Sequence, residues 1–465
     1  MKKFIFYLFT VLLLGSCTEQ LNQIPLTNKE LSIFLRTEIE VEEYVNATYA
    51  ALQANGLYGL YLPAMGEIPS DNSFDEVPAN DGAIYGDLDE FKTIPANGML
   101  DDNWRVSYVA IQRCNVVLDR IEQANFKVAV TKNARIGEMK FIRALLYFNL
   151  VRFYGDVPLV VKETTDPNVF FGQGRTAANE VYAQVIKDLT EAAAALPVTN
   201  TQAGRVVKTA AQALLGKVYL TQKDYAKAKT ELGAVISSNA HLLLPNATDV
   251  FALTNENNKE IIFAVQFGSG INSNTEGSIM YQQFAPSNTV SGAKGHNLPT
   301  KELYAKYAAT DARRGAYVDL APSGAPFNNK LKRPTTVITD GGSDIVVLRY
   351  ADVLLMQAET ENELGNTAAA QTLLNQVRTR AKLPNTTATT QAQLRAAIDL
   401  ERRLELAGEG HRWLDLLRTG QAISVMNDWF KAQNIPITVT TKHLLFPIPQ
   451  KQIDTDPAIK QNTGY

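Results

Sequence analysis

A dense group of charged residues lies close to the C-terminal end of the chain, where carboxylates alternate with arginines. Its members are Glu401, Arg402, Arg403, Glu405, Glu409, Arg412, Asp415 and Arg418. Carboxylates beside cations could act as an acid and a base. Here the opposite charges balance, and their spacing permits helical pairs three and four residues apart. Because the planar guanidinium group favours bidentate pairing with carboxylates, we expect a structural ion network that ties the C-terminal helices together.

A second set of acids lies near the N-terminal end, and two carboxylates facing each other would be enough for glycoside hydrolysis. These acids are Glu67, Asp71, Asp75, Glu76, Asp87 and Asp89. In loops such charges are ordinarily solvated, and the sequence contains no serine-hydrolase elbow, P-loop or dinucleotide-binding glycine motif. His411 has no second histidine at ligand spacing, and Asp454 with Asp456 is only a fragment of a calcium loop. The sequence thus predicts no catalytic residue, no cofactor and no metal site.

Two loop-rich segments, 56–104 and 270–297, combine aromatic rings with amides and carboxylates. Sugars present CH faces that pack on aromatic rings, and hydroxyl groups that need donors and acceptors. Such loops on a rigid scaffold are where a binding site is expected. The candidate ligand-binding residues are Asp71, Asn72, Phe74, Tyr85 and Trp104, with Tyr281, Phe284 and His296 on the opposite wall. Trp104 also falls on the helical face of Tyr108 and Ile111, so a core role for it stays open.

The start of the chain predicts a lipid anchor. Residues 1–16 combine two lysines, an apolar run and small residues directly before Cys17, as a secretory signal does. The apolar run is too short for a permanent membrane span, which needs ~20 residues. The Leu-Gly-Ser-Cys sequence resembles a bacterial lipobox, so we expect lipidation of Cys17 and a polar tether over 17–26. Cys114 would then have no disulfide partner and is expected to be an inert buried thiol.

The composition excludes one class of partner. The formal net charge is -3, and no long basic tract occurs in the chain. Because binding to phosphates needs clustered lysines and arginines, we do not expect a nucleic-acid partner.

The elements that must position these residues are mainly amphipathic helices. Ala211, Leu214 and Val218 repeat at the spacing of one buried helical face. Residues 215–219 and 224–228 together resemble a tetratricopeptide helix pair, and 354–377 resembles a second one. We therefore predict a mostly α fold: a tetratricopeptide-like helix-pair scaffold at about 100–240 and 345–420, with loop-rich excursions and a few short strands. One strand is expected over 260–267.

Several motifs in a characteristic order resemble the SusD/RagB family of outer-membrane nutrient-binding lipoproteins of Bacteroidetes. They are FYGDVPL at 153–159, LRYADVLLMQAE at 348–359, ERRLELAGEGHRWLDLLRTG at 401–420, FPIPQ at 446–450 and QNTGY at 461–465. The resemblance covers 27–465 as a single domain, with a helical half over about 27–240 and a loop-rich and C-terminal half over about 241–465.

The resemblance implies more than the residues do by themselves. It implies a lipid-anchored location on the outer membrane, facing the cell exterior, and a SusC-like TonB-dependent transporter as partner. It also implies an oligomeric ligand, usually a glycan, bound on loops near the segment 56–104. Two alternatives stay open: a tetratricopeptide-type scaffold lipoprotein that binds a peptide or protein, and a surface hydrolase.

Overall fold

The computed structural model describes residues 34–199, 202–331 and 336–465. Cys17, the signal segment 1–16 and the tether 17–26 lie outside the described residues. The lipid anchor therefore stays a prediction. None of the helices in the described ranges is long and apolar enough to cross a membrane.

Helices dominate the secondary structure, which confirms the predicted mostly α fold. In chain order they are α1 (Glu38–Ala51), α2 (Tyr61–Glu67), α3 (Gly86–Asp89), α4 (Gly98–Arg120), α5 (Ala129–Tyr154), α6 (Ala178–Ala195), α7 (Lys208–Thr221), α8 (Tyr225–Ser237), α9 (Met280–Phe284), α10 (Lys301–Lys306), α11 (Tyr350–Glu363), α12 (Thr367–Arg380), α13 (Gln391–Glu405), α14 (Arg412–Thr419), α15 (Ala422–Ala432) and α16 (Gln450–Thr455).

The strands are short and join distant parts of the chain. They are β1 (Ser73–Phe74), β2 (Ile261–Val265), β3 (Leu298–Pro299), β4 (Val318–Leu320), β5 (Pro326–Asn328) and β6 (Ile345–Arg349). They form antiparallel pairs: β1 with β3, β2 with β6, and β4 with β5. Strand β2 lies within the predicted range 260–267, so that prediction is confirmed.

The tetratricopeptide-like pairs are α7 with α8 and α11 with α12. Gly216 lies where the first pair crosses, and a Cβ atom at this position would lie 2.6 Å from Cγ of Leu232. Only glycine therefore lets these two helices approach so closely. In the second pair, Leu354 and Ala358 pack with Leu374 and Val377 in one buried cluster.

Helix α5 runs through the main core, and its buried residues lie on several sides of the helix rather than on one stripe. Trp104 on α4 is only 2 % exposed and packs edge-on against Tyr154 of α5, with ring centroids 5.2 Å apart. The hydroxyl of Tyr154 donates to Oδ1 of Asn103 at 3.0 Å. Helices α4 and α5 thus form the rigid base from which the loop segment 56–97 projects.

Candidate ligand-binding site

The two loop segments predicted to carry the site lie against each other. Strand β1, in the first segment, pairs with β3, which follows directly after the second segment. Phe74 thereby lies opposite Leu298 in this strand pair. The carboxylate of Glu76 accepts a hydrogen bond from the backbone N–H of Ser287 at 2.8 Å, and the N–H of Glu76 donates to Gly295 O at 3.0 Å. We call this contact between 56–97 and 270–299 the loop junction.

His296 lies at the centre of the loop junction and is fully buried. Its Nδ1 lies 3.0 Å from Oδ1 of Asp75, and its Nε2 lies 2.9 Å from Oδ2 of Asp81. Asp81 in turn pairs with Lys294 at 3.0 Å. Burial lowers the pKa of His296, but the hydrogen bonds to Asp75 and Asp81 outweigh it and raise the pKa above its ordinary value.

A small aromatic cluster surrounds this histidine. Tyr85 stacks on the imidazole of His296 at a centroid distance of 4.0 Å. Phe284 and Tyr61 meet the Tyr85 ring edge-on at 6.5 and 6.1 Å. Burial raises the pKa of the Tyr85 hydroxyl far above its ordinary value, so this phenol stays neutral. The cluster is a packed platform beneath the surface of the junction.

Four aromatic side chains at the loop junction remain partly exposed. Phe91 packs edge-on against Trp413 and Phe430, away from His296 in the sequence and in its contacts, which leaves Tyr61, Phe74 and Tyr281. Tyr281 lies on α9, one turn before Phe284, whereas Phe74 lies on β1. We call these three residues the aromatic rim. They are the rings of the junction that can offer a face to a ligand without rearrangement of the core.

Asp71 and Asn72 are buried and serve the fold. Asp71 is paired with Arg412, with Oδ1 2.7 Å from Nε. Asn72 accepts from Nε of Arg403 at 2.6 Å and donates to Glu67 at 3.0 Å. Burial raises the pKa of Asp71, but Arg412 and Arg403 more than compensate and hold it below its ordinary range. These contacts tie the base of the first loop segment to the C-terminal helices.

The structure therefore divides the eight predicted binding residues into two groups. The buried residues, whose packing argues against direct ligand contact in this conformation, are Asp71, Asn72, Tyr85, Trp104, Phe284 and His296. Phe74 and Tyr281 are partly exposed, and their ligand contact stays a prediction. Trp104 lies in the core, which is one of the two roles that its sequence position allowed. Tyr61 and Asp81 also belong to the loop junction, although neither is among the predicted binding residues. The histidine that contacts Asp81 lies far from it in the sequence.

The charged cluster at the C-terminal end is an ion network, as predicted. At its centre Glu405 is fully buried and lies 2.5 Å from Nη1 of Arg349 and 3.0 Å from Nη1 of Arg313; Arg380 also pairs with it. Burial raises the pKa of Glu405, but Arg380, Arg349 and Arg313 outweigh it and hold it well below the ordinary range. The carboxylate therefore stays ionised and holds four segments of the chain together.

Glu67 is a second buried carboxylate that links separate segments of the chain. It accepts hydrogen bonds from the backbone N–H groups of Gly408, Gly410 and His411 at 3.0, 3.0 and 3.2 Å. The loop between α13 and α14 is thereby fixed to α2. Trp413 is 1 % exposed and lies in the core beside this loop, in the first turn of α14.

Two further predictions concern reactive groups. Cys114 is buried, and burial raises the pKa of its thiol to about 12, which keeps it protonated. Burial, with the nearby charge of Lys217, lowers the pKa of His411 to about 3. Within residues 34–199, 202–331 and 336–465, no group of three or more His, Cys, Asp and Glu side chains is arranged to hold a metal ion.

Comparison with known proteins supports the architecture. A family model described as "SusD family" matches residues 326–465, and one described as "Starch-binding associating with outer membrane" matches residues 26–220. Two proteins of Formosa agariphila are similar along the whole chain. SusD-like protein P25 is 27% identical over 99% of both chains, and SusD-like protein P38 is 28% identical over 100% of both.

Solved structures agree with this result. The structure of a laminarin-binding SusD-like protein is 28% identical and superposes with a TM-score of 0.79, covering 92% of this chain and 100% of that chain. The motif 401–420 supplies Glu405 and the backbone N–H groups that hydrogen-bond to Glu67, and the two family models together cover well over half of the chain. On these grounds the chain belongs to the SusD/RagB family of Bacteroidetes.

Proposed function

We propose that this protein is a non-enzymatic, surface-exposed lipoprotein of the outer membrane that captures an oligosaccharide at the loop junction. It then delivers this ligand to a SusC-like TonB-dependent transporter. The observation that carries the proposal is the aromatic rim of Tyr61, Phe74 and Tyr281. The rim lies on loops that a stacked and hydrogen-bonded platform holds together.

Membership of the family supports a glycan ligand. The matched model of the N-terminal half is described as starch-binding, and a structural relative of this chain binds laminarin. Both ligands are neutral polymers of glucose. Flat rings such as those of the rim suit the CH faces of such sugars, and the Tyr61 and Tyr281 hydroxyls add polar contacts.

The charge around the rim indicates what kind of glycan it accepts. Carboxylates outnumber cations at the loop junction; the acids are Glu67, Asp71, Asp75, Glu76, Asp81, Asp87, Asp89, Glu90 and Glu276. The cations Lys294 and Lys92 are already paired with Asp81 and Glu90. Because like charges repel in a partly desolvated site, we expect the rim to prefer neutral oligosaccharides to sulfated or uronic-acid polymers.

The hydrolase alternative has one feature in its favour. Burial raises the pKa of Asp89 to about 7, as expected for a general acid. However, Oδ2 of Asp89 accepts the backbone N–H of Asp75 at 3.1 Å, so this carboxyl holds its own loop. Glu67 and Asp71 likewise stabilise the fold, Glu67 through its hydrogen bond from Gly408 and Asp71 through its ion pair with Arg412. We therefore assign binding without hydrolysis.

Affinity electrophoresis on gels that contain laminarin, starch, alginate or carrageenan tests the proposal. We expect neutral glycans to retard the protein, and incubation with them to release no new reducing ends. No retardation by any neutral glycan would overturn the glycan assignment. Release of reducing ends would instead favour the hydrolase. Delivery is tested separately, by purifying the protein from native outer membranes. The absence of a TonB-dependent transporter from the purified material would contradict delivery to such a transporter.

A further inference from the structure

Arg152, in the last turn of α5, lines an open groove of about 700 Å³ that also includes Gly155 and Asp156 of the motif 153–159. Apolar walls of the groove come from Leu414, Leu417 and Leu444, and Tyr182 on α6 adds a half-buried ring. A groove of this volume is large enough for a small molecule. None of its lining residues belongs to the loop junction.

The hydrogen bonds of Arg152 involve only uncharged groups. Its Nε donates to the carbonyl oxygen of Phe148 at 3.0 Å, and its Nη2 donates to Oδ1 of Asn149. The guanidinium carbon lies 3.8 Å above the Phe148 ring centroid. In the part of the chain that the structure describes, no carboxylate lies within ion-pair distance of Arg152.

This bonding differs from that of the buried arginines Arg143 and Arg402. Arg143 is paired with Asp188 at 2.8 Å, and Arg402 with Asp352 at the same distance. Asp415 acts on Arg152 electrostatically but is already paired with Arg402 and Arg418. A desolvated cation without an acid is costly, and burial lowers the pKa of Arg152 to about 10 although the nearby Tyr182, Tyr58 and Asp415 oppose it.

The charge inside the groove is suited to one anion. Among the described residues that line it, Asp156 is the one carboxylate, and its Oδ1 accepts the backbone N–H of Ala178 at 2.8 Å. The second lining arginine, Arg418, is held by Asp415 and Glu359. Lys217, the next buried cation, is paired with Asp352 at 3.0 Å. Arg152 is therefore the cation that a ligand can neutralise.

We propose that this groove is a second binding site, which takes a small organic anion with one carboxylate and an apolar body. The carboxylate would pair with the guanidinium of Arg152, and the apolar body would pack on Leu414, Leu417 and Tyr182. Binding would supply the missing negative charge and bury apolar surface in one step. The site is independent of glycan capture at the loop junction.

Calorimetry with benzoate, and with benzamide as its neutral counterpart of the same shape, tests this site in the mature protein. We expect benzoate to bind at least about tenfold more tightly than benzamide, and Arg152→Met to abolish that difference. The matched control is Arg395→Met, which removes an arginine that is paired with Glu363 and does not line the groove. It should leave benzoate binding unchanged.

A second variant and a stability measurement separate binding from folding. Thr441 lies exposed at the groove, so Thr441→Trp should fill it and block benzoate without affecting Arg152. Because Arg152 lacks an acid, Arg152→Met should keep or raise the melting temperature, whereas loss of a structural arginine would lower it. Equal affinity for benzoate and benzamide in the wild type, or benzoate binding that survives both variants, would overturn the proposal.

Discussion

The imidazole of His296 lies flat against the ring of Tyr85, with the two planes inclined by 14°. The two residues come from different loop segments, far apart in the sequence. Since the same imidazole also contacts Asp75 and Asp81, one buried side chain joins the loops that carry Phe74 and Tyr281. A protonated imidazole can donate to both carboxylates, so we expect the contact between these loops to weaken when His296 loses its proton.

The stability that His296 contributes should fall as the pH rises. A raised pKa in the folded state means that this contribution is complete below the ordinary value of about 6.5 and is lost as the pH passes the folded pKa. We expect His296→Asn to lower the melting temperature strongly at pH 5.5 and progressively less toward pH 9. The control is His241→Asn, because burial lowers the pKa of His241 and gives the opposite slope. A pH-independent effect of His296→Asn would contradict this role.

The close helix crossing at Gly216 can be tested with a matched pair of glycines. Gly216→Ala should destabilise the protein by roughly 1–3 kcal/mol, because its methyl group would collide with Leu232. Gly233→Ala on α8 places the methyl group in open space and should be neutral or stabilising by up to about 1 kcal/mol. Urea denaturation measures both. Equal effects of the two substitutions would show that helix propensity, not the crossing, governs this pair.

The ion network predicts a large effect at one carboxylate. Glu405→Gln should lower the free energy of unfolding by about 3–5 kcal/mol, because it removes a buried negative charge that Arg313, Arg349 and Arg380 share. Glu363→Gln is the control: it breaks the surface pair with Arg395, which is worth about 0–1 kcal/mol. Denaturant unfolding of both variants provides the measurement. A loss below about 1 kcal/mol for Glu405→Gln would show that the network contributes little to stability.

The lipid anchor predicts a change in cell fractionation. Cys17→Ala should abolish incorporation of labelled fatty acid and release the protein from the membrane fraction. Cys114→Ala, which removes a buried thiol, should leave both unchanged. Membrane association and labelling that persist in Cys17→Ala would show that the start of the chain is not a lipobox.

Local patterns in the sequence predicted much of the fold. Helical spacing indicated the pairs around Gly216 and Leu354, and the strand predicted over 260–267 corresponds to β2. Balanced charges at 401–418 correctly indicated an ion network. The helical faces and the strand depend on neighbours within a few residues of each other, which a single sequence displays directly. The ion network does so only in part: Asp415 pairs with Arg418 on one helix, whereas Glu405 pairs with Arg349 and Arg313 from distant segments.

The partners at the site depend on tertiary contacts and were not predictable in this way. Nothing near His296 in the sequence points to Asp75 or Asp81, and nothing near Asp71 points to Arg412. Loop composition alone could not separate an aromatic residue that packs its own loop, such as Tyr85, from one that stays partly exposed, such as Phe74. Composition therefore identified the two loop segments, but most of the residues predicted to bind ligand within them are buried.

Calorimetric titration of laminarihexaose into the mature protein and its Phe74→Ala and Tyr281→Ala variants tests glycan capture at the loop junction most directly. We expect each variant to keep its melting temperature and to lose about tenfold in affinity, which corresponds to roughly 1.4 kcal/mol. Phe171→Ala, which removes an exposed ring from a different loop, should bind like the wild type. Unchanged affinity in both folded rim variants, or no binding of this neutral glycan by the wild type, would contradict the account.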